Sequence, residues 1–190
     1  MPLFTSPREK QLWTWALVVF GTICSTLFFG QPLAKLFGNQ NVQGIIFVLG
    51  MVLVGSAILV HALKRKPSKI EIGLLLGISA VYLMFFLRLG LPERSHLIEY
   101  SVLAIIIHKA VTERFGQEEK ILKAAFLALI LTFLLGVLDE SMQLFLPHRV
   151  FDPVDILFNG FAAAAAIGAN VVLTWVRRLM DRSKEKGFNQ

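Results

Sequence analysis

Leu138-Asp139-Glu140-Ser141-Met142-Gln143-Leu144-Phe145-Leu146-Pro147-His148-Arg149-Val150-Phe151-Asp152-Pro153-Val154-Asp155-Ile156-Leu157-Phe158-Asn159-Gly160 is the stretch on which the reading of this chain turns. One apolar segment, 121–138, leads into it, and another, 154–175, leads away. The stretch itself carries three Asp, one Glu, one Gln, one Arg and one Asn. Ionisable groups at the end of an apolar segment are costly to desolvate, so their presence points to function. The stretch reads as a hinge between two membrane helices and as half of a polar site at the outer membrane surface.

Composition supports the membrane. The 190 residues are 55% hydrophobic and 17% charged, with a mean hydropathy of +0.65. A soluble domain carries roughly a quarter charged residues and could not hide this much apolar surface. Several runs approach the ~20 residues that cross a ~30 Å hydrocarbon core. The expected fold class is therefore all-α, a polytopic transmembrane helical bundle. The alternating ten-residue segments of a membrane β-barrel are missing. The net charge of +6 is read as loop charge that sets topology and not as a nucleic-acid surface. The single cysteine, Cys24, lies inside the first apolar run and reads as a small core residue. Arg8 and Lys10 precede that run, yet no small-x-small cleavage site follows it, so it reads as an uncleaved first helix.

Six spans are expected, at about 12–29, 42–63, 70–87, 97–111, 121–146 and 154–176. They divide into an N-terminal two-span region, 1–69, a four-span unit, 70–176, and a basic tail, 177–190. With six spans, 15 Lys and Arg fall on one side of the membrane and four on the other. That asymmetry puts both termini in the cytoplasm. Gly73 and Gly77, then Gly160, Ala164 and Gly168, repeat at four-residue spacing and are expected to let helices approach closely. The run Ala162–Ala166 reads the same way.

The topology count made no use of the polar residues, yet it gathers them on the outer side. His96, Glu99 and Tyr100 fall within about 100° of one helix circumference, as do Asp139, Glu140 and Gln143; Asp152, Asp155 and Asn159 fall within about 60°. Asp139 should lie about 10 Å below the end of its helix. Facing lipid there would be costly, so it is expected to turn inward toward Arg149, Arg88 or His96. An inward polar pocket, open at the outer surface, follows.

Blander roles are open to each residue. Asp152-Pro153-x-Asp155 has the pattern of a helix start, with Asp as cap and Pro in the first turn. Arg149 could pair with an acid or a lipid phosphate, Tyr100 could belong to an interfacial belt, and His96 could be a satisfied helix-start residue. His61 and His108 read as interfacial, beside Lys64 and Lys109; His148 sits in the hinge. Glu71 and Arg88, near span ends, are expected to snorkel or pair. Asp139-Glu140, adjacent acids in an apolar helix, resist such an account best. Soluble-enzyme motifs and zinc-type cysteine pairs are absent from the sequence.

His96-x-x-x-Tyr100, Asp139-Glu140-x-x-Gln143, Pro147-x-Arg149, Asp152-x-x-Asp155 and Asn159-Gly160, in that order, resemble the VanZ-like family of bacterial membrane proteins. The resemblance covers about 81–175. Members often carry a Lys shortly before the His, where this chain has Arg94-Ser95. The resemblance implies a bacterial cytoplasmic-membrane protein of the cell envelope. The family's founding member is linked to low-level resistance to teicoplanin, a lipid-tailed glycopeptide that acts on the wall outside the membrane.

Four functions fit these residues. In the first, the pocket binds the polar head of an envelope amphiphile, a lipid-linked wall precursor or a lipoglycopeptide. Arg149 and Arg94 would then meet phosphate or carboxylate, and the acids and amides would meet sugar hydroxyls or amines. Glu99, Tyr100, Gln143, Asp152, Asp155 and Asn159 complete that binding set. In the second, the chain is an intramembrane hydrolase or transferase acting on a lipid-linked substrate. Asp139, Glu140 and His96 would be its acid–base groups, or His96, Asp139, Glu140 and Asp155 would hold a divalent ion. A proton-coupled path and a purely structural role are the third and fourth. Membrane lipids are the expected partners in every case, and nucleic acid is not among them.

Overall fold

The computed structural model describes the backbone of residues 4–36, 68–88, 91–116, 120–147 and 150–188, with side chains except at 29–36, 86, 91–94 and 181–188. The second expected span, with His61 and Lys64, lies outside the described residues, as do His148 and Arg149 and the side chain of Arg94. Five helices and no strand are found among the described residues: α1 (Pro7–Leu36), α2 (Lys69–Arg88), α3 (Leu91–Phe115), α4 (Ile121–Gln143) and α5 (Pro153–Phe188). Three stretches among them are long and apolar enough to cross a membrane: Pro7–Phe28, Ile121–Gln143 and Pro153–Met180. The charged residues of α3, among them Glu99, Lys109, Glu113 and Arg114, set it apart.

α3 lies at the centre and packs on α1, α4 and α5. Its buried residues, Leu97, Tyr100, Leu103, Ala104, Ile107, Ala110 and Val111, recur every three or four positions and so form one continuous inward stripe. α1 joins the same core through Ala16 and Ile23. α4 shows the logic of a membrane helix most plainly. Its buried stripe is Ala124, Ala128, Thr132, Gly136, Asp139, Glu140 and Gln143, all small or polar. Its large residues, such as Phe126, Leu127, Phe133, Leu134 and Leu138, face outward. In water that surface would be a gross liability; in lipid, small residues drive packing and large apolar ones meet acyl chains.

Helix ends depart from expectation for local reasons. α3 begins at Leu91 rather than near 97, because Pro92 suits a first helical turn. It stops where Gly116 takes φ +60 and its N–H reaches Glu113 O at 3.1 Å, a left-handed terminus that favours glycine. α4 ends at Gln143, not 146. The N–H groups of Leu144, Phe145 and Leu146 turn to carbonyls three residues back, at 3.3, 3.1 and 3.0 Å, a tightening that precedes Pro147.

The packing stripe also shifts. Gly73, Gly77 and Gly168 have no described atom within 4 Å of an added Cβ, and Ala164 is exposed. Ala162, Ala163 and Ala166 are the buried small residues of α5. Of the glycines in the four-residue repeats, Gly160, against the Phe133 ring, is in close contact among the described residues, and the run 162–166 packs as expected through its buried alanines.

The two ends of the bundle are held differently. At one end Ser6 Oγ accepts the Glu9 N–H (3.0 Å) and the Glu9 carboxylate accepts the Thr5 N–H (2.6 Å). Arg114, from the end of α3, reaches Glu9 at 3.1 Å, and Ser6 and Arg8 reach Glu113 at 2.9 and 3.8 Å. The start of α2 is a reciprocal cap between Ser68 and Glu71 (2.9 and 3.2 Å). Glu71 also pairs with Arg177 of α5, so it pairs as expected of it. At the other end stand Tyr100, Asp139 and Asn159.

Candidate functional site

Three helix ends bring their polar stripes together. Tyr100, on the third turn of α3, is fully buried and donates its hydroxyl proton to Asp139 Oδ2 of α4 at 3.1 Å. Tyr100 is thus a core residue and not a belt residue. It also supplies a partner for Asp139 that the sequence did not name. Gly136, one turn deeper on α4, makes room for this. A Cβ there would stand 3.3 Å from both Tyr100 Cε1 and Asn159 Cβ, so any larger residue would have to push α3 and α5 back by a few tenths of an ångström.

Glu140 has a different task. Its Oε2 accepts from Gln143 Nε2 at 2.7 Å, and its Oε1 accepts the Asp152 N–H at 2.8 Å. Glu140 is fully buried and Gln143 nearly so. The carboxylate therefore ties the end of α4 across the hinge to the start of α5. Asp152 caps that start: its Oδ1 accepts the Val154 N–H at 2.8 Å, and its carbonyl accepts the Asp155 N–H at 3.1 Å. The capping pattern read from Asp152-Pro153 is present in the structure.

Asn159 completes the floor. It is 1% exposed, and among the described residues neither its Oδ1 nor its Nδ2 has a hydrogen-bond partner. His96 is half-buried, with its ring 6.1 Å from that of Tyr100 and a buried Nδ1 that makes no hydrogen bond. Glu99 and Asp155 are half-buried above, and Asp152 is exposed. The site has two tiers, a floor closed to solvent and an acid-bearing rim. The sequence expected these residues to line an open cup; the close approach at Gly136 shuts its lower half.

The expected metal set is not assembled. Among the described residues no three His, Cys, Asp or Glu side chains gather to hold an ion. Glu140 places its oxygens on Gln143 and the Asp152 backbone.

Other residues were misread or missed. His108 is 1% exposed, not interfacial, and its Nδ1 lies 3.0 Å from Asn170 Nδ2 of α5. It sits four residues beyond buried Ala104, a spacing that would have turned it inward. Ser101 bridges toward Tyr82 of α2 and the Ala162 carbonyl, each at 3.4 Å. Ile23 of α1 packs in the same core as Tyr100, and α1 meets both α3 and α4, so the first helix borders the site, which no local motif announced.

No curated protein and no solved structure matches the chain. The sequence model of the VanZ/LLP1 family matches residues 13–175. The match takes in the first helix, which the motifs between 81 and 175 do not reach. It spans most of the chain and all three helix ends that form the cluster, and on that ground the chain belongs to the VanZ/LLP1 family.

Proposed function

We propose that the chain is a six-span protein of the bacterial cytoplasmic membrane with both termini inside. In this reading the Tyr100–Asp139–Asn159 cluster faces outward and binds the polar head of an envelope amphiphile, a lipid-linked wall precursor or a lipoglycopeptide, through which it affects the response to glycopeptides. The observation that carries the reading is the convergence of three polar stripes at one end of the bundle, in residues as deep as Asp139 and Asn159. Polar groups buried among membrane helices are retained for function. Arg8, Arg114 and Arg177 stand at the opposite end, which agrees with a cytoplasmic side rich in Lys and Arg. Arg149, by sequence beside the hinge, supplies the group that meets phosphate or carboxylate.

Native mass spectrometry of the purified chain with defined lipids is the test. Retention that depends on headgroup, and that weakens in Arg149→Ala, is expected. Equal retention of every headgroup by both proteins overturns the reading.

The hydrogen-bonded Tyr100–Asp139 pair favours one second reading, an intramembrane hydrolase or transferase in which that pair handles a proton. Product formed from lipid diphosphates by the wild type and lost in Asp139→Asn would select it. No product from any member of the panel rejects it.

A further inference from the structure

Asn159 stands apart from its neighbours. Glu140 and Gln143 hold each other, and Tyr100 holds Asp139. The Asn159 amide is 1% exposed and has both a donor and an acceptor with no partner among the described residues. Burying such a group without a partner costs folding free energy, and replacing it by an apolar one would remove the cost. A group retained at that cost is a candidate for ligand recognition.

Its chemistry narrows the ligand. An amide offers Nδ2–H as donor and Oδ1 as acceptor side by side. A phosphate or carboxylate only accepts, and an ammonium only donates, so each would leave half of the amide unmet. A hydroxyl does both. Burial argues the same way: at 1% exposure the amide admits only a small group, and a hydroxyl is the smallest with both functions.

We propose that Asn159 selects a hydroxyl-bearing headgroup, a glycerol or a sugar, over headgroups that only donate or only accept. This rests on the headgroup-binding reading above. The test compares lipids that differ in hydroxyls alone, on the full chain by native mass spectrometry. Phosphatidylglycerol is set against phosphatidylpropanol, and glucosyl-diacylglycerol against the same glycolipid with every sugar hydroxyl methylated; the two pairs separate glycerol from sugar. The hydroxylated member of at least one pair should be retained at least about fivefold better, as one or two hydrogen bonds allow. Asn159→Leu should erase that preference while its melting temperature stays equal or rises.

Headgroup discrimination without any hydroxyl preference overturns this inference alone: the amide then holds only water. A hydroxyl preference undiminished in Asn159→Leu overturns it too. No discrimination among headgroups overturns the underlying reading as well. Should the leucine variant fail to fold, the wild-type lipid pairs decide.

Discussion

At the scale of single residues, the site depends on close approach. Tyr100→Phe removes the hydroxyl from Asp139 and leaves a buried carboxylate oxygen short of a donor. A loss of ~1–3 kcal/mol is expected in thermal or denaturant unfolding in detergent. Gly136→Ala must push the Asn159 and Tyr100 side chains, each 3.3 Å from the new carbon, and should cost ~1–3 kcal/mol. Gly73→Ala is the control. Its added carbon meets no described atom within 4 Å, so helix propensity should make it neutral or stabilising by up to ~1 kcal/mol. A destabilised Gly73→Ala beside an unaffected Gly136→Ala would contradict the assignment of the packing face. Most residues of the floor were legible in the sequence, because charged and amide side chains in an apolar helix are conspicuous. Their roles were not. Glu140 looked like an acid–base group, yet its contacts are the Gln143 amide and the Asp152 backbone, and a backbone N–H from the next helix leaves no trace in a sequence.

At the scale of elements, helix starts were the more readable ends. Asp152-Pro153 announces the start of α5 and Ser68-x-x-Glu71 that of α2, since a cap acts over three or four residues. Ser68→Ala should destabilise α2 by ~0.5–2 kcal/mol, seen as faster amide exchange in its first turn. Glu140→Gln is the sharper experiment. A glutamine has one acceptor oxygen, so it cannot serve both Gln143 Nε2 and the Asp152 N–H as the carboxylate does. Exchange at Asp152 should accelerate while the centre of α4 stays protected; unchanged exchange at Asp152 would show that the hinge is held otherwise. What the sequence hid at this scale was which face turns inward. Four-residue spacing holds for any helix, so glycines at 73, 77 and 168 gave the same signal as alanines at 162 and 166, although only the alanines are buried. Facing is decided by the neighbours, and α3, with Tyr100, Ala104 and His108 pointing in, is the neighbour that decides it.

At the scale of the whole molecule, orientation is the claim to check. A reporter fused behind Leu146 should be active outside the cell and silent within; the reverse would turn the bundle over and remove the site from the wall. The all-helical character could be read from composition, because the membrane forces backbone groups to pair within each segment. The neighbourhood of Ile23 and the site could not, since it depends on α1 packing against α3 across more than 70 residues of chain. A last consequence comes from the contrast between the two ends. Arg8 is 71% and Glu113 28% exposed where they meet at the first turn of α1, so dissolved ions reach that contact and weaken it. The Tyr100 contact is sealed from ions. Potassium chloride at molar strength should therefore work like a key that fits one door: α1 should fray at its first turns while the far rim keeps its amide protons.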